Sequence, residues 1–229
     1  MKGEARGFFH VEKIDSVWWI IDPEGKVFIS KGVNHISFEG DYSPSLGYIP
    51  YHKAVFKKYG DAESWAKAAV ERLCSYGFNT IGAWSSKELY RLKIPYTIIL
   101  DIAARAGSKW LSGRVVDYFS KEFEEVANGI AEKTCAPKRD DPYLLGYFTD
   151  NELRWGPDWR SPKHLFDDYI ALERDAPGKR VLVQYLREEY DSIRCLNAKW
   201  GTDFKSFEDI LDVYEPPSGS LDSDKLGFL

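Results

Sequence analysis

The chain has 229 residues and a formal net charge of −5, with 44% hydrophobic, 15% aromatic and 29% charged residues. This composition is typical of a globular protein with one large core or two small ones. The acidic balance and the lack of a Lys/Arg stripe argue against a nucleic-acid partner, because nothing is available to neutralise phosphates.

Several other classes of protein are disfavoured by the sequence. No apolar run approaches the roughly 20 residues of a membrane span, and the charged start at 1–6 lacks the apolar core of a secretion signal. Cys74, Cys135 and Cys195 are odd in number and widely spaced, which argues against disulfides and structural zinc. The histidines have no paired metal spacing. We therefore expect a cytoplasmic protein with no membrane contact, no metal and no cofactor.

The first predicted element is a β-hairpin over 17–30, around the turn sequence Asp-Pro-Glu-Gly at 22–25. Its second arm continues without a break, so 27–33 is predicted to be the first strand of a larger sheet. Residues 40–60 contain two prolines and several tyrosines, and predict a long loop.

Strands and helices alternate in the next part of the chain. A helix is predicted from the N-cap Asp61 to the stop at Gly77. Strands are expected at 79–83, 96–100 and 144–149, and helices at 86–92 and 118–133. This alternation predicts parallel strands joined by right-handed crossovers. Beyond Pro157 only helices are predicted, at 162–174, 178–190, 192–199 and 206–212.

The most informative segment is the end of the predicted strand 144–149. An apolar run gives way to Asn151 and Glu152, and Trp155 follows shortly afterwards. In barrels and open α/β sheets the carboxyl ends of the strands carry the chemistry. For Glu152 the alternative is a structural salt bridge with Arg154.

Four segments carry a resemblance to a known family, together with a later helical sequence at 196–204. They are 7–25 (with GFFHVE, WW and DPEG), 28–34 (FISKGVN), 76–85 (YGFNTIGAWS) and 146–152 (GYFTDNE). On these residues the chain resembles the clan A glycoside hydrolases, most closely their agarase-like and β-galactosidase-like members.

The resemblance implies an α/β fold, a partial (β/α)8 (TIM) barrel of about four parallel strands within a single incomplete domain over 1–229. It implies an N-terminal β-hairpin in 1–26, strands one to four in 27–156, and a helical insertion after strand four in 157–215. Half of an eight-stranded barrel is then expected in this chain.

The resemblance also implies roles for the Asn-Glu pair. Glu152 would be the general acid/base, and Asn151 would bind the sugar hydroxyl next to the cleaved bond. Retaining hydrolysis needs a second carboxyl about 5–5.5 Å away as the nucleophile, which in the family is a glutamate at the end of strand seven. No such strand is found here, and Glu215 is the only late glutamate outside a helical pattern.

Other residues at predicted strand ends are candidates for substrate binding. Asn34 and His35 end the first strand, and turn formation is their alternative role. Trp84 and Trp155 follow later strands and are predicted either to stack on sugar rings or to pack at the rim. Asp101 ends the third strand and is expected at the same rim.

Together these features predict a retaining glycoside hydrolase that cleaves O-glycosidic bonds of an oligosaccharide or polysaccharide. The chain would be a fragment or split subunit, and a second chain or a homo-oligomer would supply the remaining strands. The alternative is a non-catalytic carbohydrate-binding or scaffold protein derived from such an enzyme.

Overall fold

The computed structural model describes residues 2–219 and 221–228. The chain divides into two compact units, Met1–Leu100 with Thr134–Thr149 and Asp101–Lys133 with Asp150–Leu229. The first unit contains both sheets, and the second is helical. The single domain over 1–229 remains a prediction.

The first sheet of the first unit is antiparallel. Its strands, in spatial order, are β1 (His10–Ile14), β2 (Val17–Ile21) and β3 (Val27–Phe28). The pairing of β2 with β3 confirms the predicted hairpin around the turn at 22–25. Strand β1 was not predicted, and it joins β2 through Asp15 and Ser16, whose φ values of 49° and 68° are those of a tight two-residue hairpin turn.

The second sheet of the first unit has four strands, all parallel. They lie in the order β4 (Gly32–Val33), β5 (Thr80–Ile81), β6 (Tyr96–Ile99) and β7 (Leu144–Phe148). The prediction of a mixed α/β fold with four parallel strands is therefore confirmed. That this sheet is part of a barrel remains a prediction.

The prediction of one continuous strand over 27–33 is wrong. Strand β3 ends at Phe28 and belongs to the antiparallel sheet, and β4 begins only at Gly32. The side chain of Asn79 bonds the backbone between them, since its Nδ2 donates to Ile29 O (2.9 Å) and its Oδ1 accepts from Lys31 N (2.7 Å). These bonds take the place of ladder bonds and let the chain change sheets.

The predicted loop over 40–60 is also wrong in its second half, where helix α1 (Pro50–Tyr59) lies. Proline at the first helical position has a φ already suited to a helix, and its missing N–H has no partner there in any helix. Val55 is the buried residue of this helix. Helix α2 (Ala62–Ser75) begins as predicted, with the Asp61 carboxylate accepting from Ser64 N at 2.7 Å.

A short 3-10 helix, Lys87–Arg91, stands where the helix over 86–92 was predicted. The core of the first unit includes fully buried Ile81, Leu89 and Tyr96. Tyr96 donates to the Asp141 carboxylate at 2.6 Å, which satisfies the hydroxyl of a buried ring.

The second unit contains six α-helices among its described residues. They are α3 (Ile102–Arg105), α4 (Lys121–Ile130), α5 (Leu165–Ile170), α6 (Pro177–Glu189), α7 (Ile193–Trp200) and α8 (Asp222–Gly227). Three-residue and six-residue 3-10 helices occupy Trp110–Ser112 and Phe207–Asp212. Of the helices predicted after Pro157, the first is shorter than predicted (α5), the next two are shifted by one residue (α6 and α7), and the last is the 3-10 helix at Phe207–Asp212. Helices α3 and α8 were not predicted.

The core of the second unit is built by these helices, with Phe166, Leu182, Leu186 and Leu196 fully buried. Lys179 is buried among them, and its Nζ donates to the carbonyls of residues 172 and 213 at 2.8 and 2.7 Å. Desolvation by this burial lowers the pKa of the lysine. Within 2–219 and 221–228 no helix combines the length and apolarity needed to cross a bilayer.

Candidate active site

Strained backbone marks the residues that follow the parallel strands. Among the described residues, six non-glycine residues have positive φ, and two of these form the β1–β2 turn. The other four each come shortly after one strand of the parallel sheet: His35 (57°), Trp84 (56°), Asp101 (52°) and Glu152 (50°). This left-handed conformation costs a non-glycine residue on the order of 1–3 kcal/mol, and such strain collects at functional sites.

In the first unit, the ends of β4 and β5 bring three predicted residues together. The His35 ring stacks on the Trp84 ring, with centroids 4.9 Å apart and planes at 20°. His35 N also donates to Ala83 O at 2.9 Å. The Asn34 carboxamide lies against Gly82, in the space that a Cβ at that glycine would need. Asn34 and His35 are exposed, and Trp84 is half-buried.

Two serines fix the backbone beyond these residues. Ser85 Oγ accepts from Ile36 N at 3.2 Å, and Ser86 Oγ accepts from Phe38 N at 2.9 Å. The loop after β4 is thus bonded to the loop after β5 through side chains as well as backbone. This bonding holds the His35–Trp84 stack in one geometry.

In the second unit, Glu152 is exposed and has two partners. Its Oε2 accepts from the indole Nε1–H of Trp110 at 3.2 Å, and its backbone carbonyl accepts from Arg160 Nη1 at 2.8 Å. The alternative reading of Glu152, a salt bridge with Arg154, is wrong, because Arg154 pairs with Asp168. Glu152 is therefore not used as the counter-ion of its neighbour.

Arg154 is instead a buried anchor of the same loop. Its side chain is 2% exposed, its Nε donates to Gly113 O at 2.7 Å, and its other nitrogens donate to Lys163 O and the Asp168 carboxylate. Burial raises the pKa of Asp168, and the bond from Arg154 opposes that rise. Arg154, two residues after Glu152, thus bonds the backbone at Gly113 and Lys163 and the side chain of Asp168 within the second unit.

Asp150 is a further carboxyl in this segment. Its Oδ1 accepts from Ala103 N at 2.8 Å. Burial raises the pKa of Asp150, the bond from Ala103 N–H opposes the rise, and the nearby Asp101 carboxylate adds to it. Asp101 is half-buried, whereas Asn151, next to Glu152, is exposed.

Trp155 is 50% exposed and stands at an aromatic pocket of the second unit. Its ring lies 5.6 Å from that of Tyr118, with planes at 32°. Burial raises the pKa of Tyr118 to about 12, so the phenol stays neutral. The pocket has a volume of about 340 Å³ and is lined by Tyr118, Phe119, Trp155, Leu165, Tyr169, Val181, Tyr185, Gly227 and Phe228.

Trp110, Trp159 and Arg160 were missed by sequence reasoning. Trp110 is 42 positions from Glu152 in the chain and lies in no recognisable motif. The only sequence signal was the count of eight tryptophans, which does not say which of them are exposed. The structure leaves Trp110 47% and Trp159 71% exposed.

Neither the sequence nor the contacts of the described residues single out a second carboxyl as a partner for Glu152. Glu215 is exposed and lies outside any helix or strand of the second unit. In the described part of the chain, no group of three or more His, Cys, Asp or Glu residues is placed to hold a metal ion.

Comparison with known proteins links the chain to agarases. No protein-family model matches it. It is 25% identical to β-agarase B of Vibrio sp. (strain JT0107), and the match covers 90% of this chain and 28% of the relative. It is 24% identical to β-agarase A of the same strain, where the match covers 85% of this chain and 25% of the relative. The chain thus spans little more than a quarter of the length of these curated relatives. Agarases are glycoside hydrolases, so the relatives that the chain matches belong to that general class of enzyme.

Solved structures agree in fold. The crystal structure of an agarase matches with a TM-score of 0.78 and 22% identity, over 99% of this chain and 41% of the agarase. An exo-β-agarase matches with a TM-score of 0.75 and 18% identity, over 98% and 42%. At this identity the likeness shows the fold, which extends over nearly all of the present chain.

Proposed function

We propose that this chain carries the acid/base part of a retaining glycoside hydrolase that acts on a polysaccharide. Glu152 is the general acid/base, and Asn151 binds the sugar hydroxyl beside the cleaved bond. Sequence similarity to agarases supports the general class. By analogy with those relatives, a galactan of the agar type is the substrate class to test first.

The observation that carries the proposal is the conformation of Glu152. A bulky residue is held at a φ of 50° by a bond from Arg160 to its carbonyl, and its carboxyl is oriented by Trp110. An indole N–H is a donor only, so Oε2 remains an acceptor toward Trp110. This bond uses Oε2, so Oε1 is proposed as the oxygen that faces the leaving group.

The residues at the other strand ends are proposed to bind substrate. The His35–Trp84 stack and the Asn34 amide are held by bonded loops in the first unit. Asp101 and Trp155 belong to the second unit, where Trp155 offers half of its surface for contact with a sugar ring. Aromatic faces with a few fixed polar groups are the usual composition of a ligand site.

The nucleophile is proposed to come from outside this chain. A retaining mechanism needs a second carboxyl about 5–5.5 Å from the acid, and the family resemblance implies that it lies on a later strand. Further barrel strands, from a longer polypeptide, a second chain or another copy, would supply it. Glu152 would then protonate the leaving group in the first step and activate water in the second.

Glu152→Gln tests this role through its dependence on the leaving group. In the assembled enzyme, the rate of hydrolysis should fall about 10²–10⁴-fold for a substrate whose leaving group is a sugar alkoxide, because such a strongly basic group departs slowly without general acid catalysis. An aryl glycoside with a dinitrophenolate leaving group should lose much less in its first step, because that group departs without a proton. The measurement is the pre-steady-state rate of leaving-group release for both substrates.

Glu189→Gln is the matched control, since Glu189 is an exposed carboxyl on α6. We expect this variant to hydrolyse both substrates at the parent rate. An equal loss for both leaving groups in Glu152→Gln would contradict the acid role. Binding of polysaccharide without any hydrolysis by the assembled protein would favour the alternative, a non-catalytic carbohydrate-binding protein.

A further inference from the structure

We propose that Trp110 and Trp159 form a binding platform for one sugar ring beside the Glu152 carboxyl, in a segment that no sequence motif marks. The inference rests on the proposed function, and it adds a subsite to it. The ligand is a neutral pyranose unit of the polysaccharide, held through its C–H face and adjoining the bond that Glu152 protonates. All parts of the platform lie in the second unit.

The two rings form one surface. Their centroids are 5.5 Å apart and their planes meet at 72°, an edge-to-face arrangement. With 47% of Trp110 and 71% of Trp159 exposed, much of the indole surface is open to solvent. Contiguous exposed apolar surface is a common mark of a binding site.

Arg160 holds the platform in place. Its guanidinium lies 5.8 Å from the Trp110 ring and 5.9 Å from the Trp159 ring. The same group bonds the Asp158 carboxylate at 2.8 and 2.5 Å and the Glu152 carbonyl at 2.8 Å. The side chain that braces both rings is thus also bonded to the backbone of the acid/base residue.

The loops that carry the rings are closed by paired backbone bonds. Asp158 and Ser161 exchange bonds of 2.9 and 3.2 Å around Trp159, and Lys109 and Arg114 exchange bonds of 3.0 and 3.2 Å around Trp110. A platform on closed turns loses little conformational entropy when it binds a ligand. This rigidity distinguishes it from aromatic residues that are exposed on a mobile loop.

The chemistry of the platform fits a neutral sugar. Indole faces bury the C–H face of a pyranose, and nearby polar atoms of Glu152, Asp158 and Arg160 can bond its hydroxyls. Trp110 touches the acid directly, at 3.2 Å from Oε2. A ring stacked here therefore lies next to the position of proton transfer.

The test is retardation of the protein in native gels containing neutral agarose, with dissociation constants taken from its concentration dependence. All variants are made in the Glu152→Gln background of the whole chain, so that binding is measured separately from the acid role. Trp159→Ala should weaken binding about tenfold, which is an ordinary effect for loss of an aromatic contact. Trp159→Phe should retain part of the affinity, because a flat ring remains.

Trp18→Ala is the matched control, since Trp18 is 66% exposed on β2 and has no part in the platform. It should bind agarose as the background does. Equal dissociation constants for Trp159→Ala and Trp18→Ala, with native circular dichroism for both, would overturn the platform and leave the acid role of Glu152 intact. Failure of the background protein itself to bind agarose would also overturn the platform, whereas the acid role of Glu152 is decided by the leaving-group comparison in the assembled enzyme.

Discussion

Glu152 illustrates how a strained residue is maintained by its neighbours. A non-glycine residue keeps a left-handed conformation only when several independent contacts hold it there. Here a bond from Arg160 fixes the carbonyl, a bond from Trp110 orients the carboxyl, and the Arg154 side chain anchors the backbone two residues later. The acid/base candidate is thus positioned by contacts that are distant in sequence.

We predict that Arg154→Leu destabilises the second unit by about 3–5 kcal/mol, the usual cost of breaking a buried ion pair from one side. The substitution leaves the Asp168 carboxylate without its counter-ion and removes the donors to Gly113 O and Lys163 O. The free energy of unfolding, measured in urea by circular dichroism at neutral pH, gives the effect.

Arg180→Leu provides the matched control for that prediction. Arg180 bonds Asp175 at 2.8 Å in the same unit, but its side chain is 58% exposed and that of Asp175 is 86% exposed. Exposed pairs contribute about 0–1 kcal/mol. Similar losses in the two variants would mean that the burial of Arg154 has no energetic consequence, contrary to our expectation.

At the scale of elements, the turns after β4 and β5 depend on a close approach of backbone to side chain. Gly82 follows β5, and a Cβ there would meet the Asn34 carboxamide and lie 2.8 Å from Val33 O. Gly82 N also donates to Val33 O at 2.8 Å. Gly82 does not have a positive φ, so its backbone conformation does not require a glycine. A glycine is needed here because a larger side chain has no space.

We therefore predict that Gly82→Ala costs about 1–3 kcal/mol, the range of overpacking a well-packed site. The backbone of β4 cannot move away without losing the bond from Gly82 N, and the Asn34 amide must leave its present position. Urea unfolding of the first unit measures the cost, and the binding of neutral agarose measures the displacement of Asn34.

Gly146→Ala, in strand β7 of the same sheet, is the control. A Cβ at Gly146 meets nothing within 4 Å, and alanine restricts the unfolded chain more than glycine does. The stability should stay the same or rise by roughly 0.5 kcal/mol. A destabilisation as large as that of Gly82→Ala would show that loss of the glycine, and not the steric contact with Asn34, is responsible.

At the scale of the whole molecule, the chain is much shorter than the proteins that it resembles. It spans 28% and 25% of the curated agarases it resembles, and 41% of a solved agarase. Its parallel sheet has four strands in the order β4-β5-β6-β7, so both outer strands have an unpaired edge within the described residues. The edge of a parallel sheet presents backbone groups that can pair with a further strand.

We predict that the isolated chain binds neutral agarose without cleaving it, and that hydrolysis appears when further barrel strands are supplied. The polypeptide encoded directly downstream is the first candidate, and co-expression followed by co-purification and a reducing-sugar assay tests it. Sedimentation of the chain alone examines pairing between two copies. Hydrolysis by a purified monomer of this chain would refute the need for a second source of the nucleophile.

The sequence alone determined those features that depend on local chemistry. The turn at 22–25, the Asp61 cap and the later parallel strands were predictable, because turn residues, capping side chains and short apolar runs act within a few residues. The residues after the strand ends were identified in the same way, from their position beyond an apolar run. Their roles in catalysis and binding remain predictions.

Only the tertiary structure decided which residues meet. Trp110 reaches Glu152 across 42 positions, and Arg154 pairs with Asp168 and not with Glu152. The side chain of Asn79 divides the predicted first strand by bonding backbone groups 48 and 50 residues away. Such contacts, and the left-handed backbone at Glu152, follow from packing between distant segments, which no local pattern in the sequence encodes.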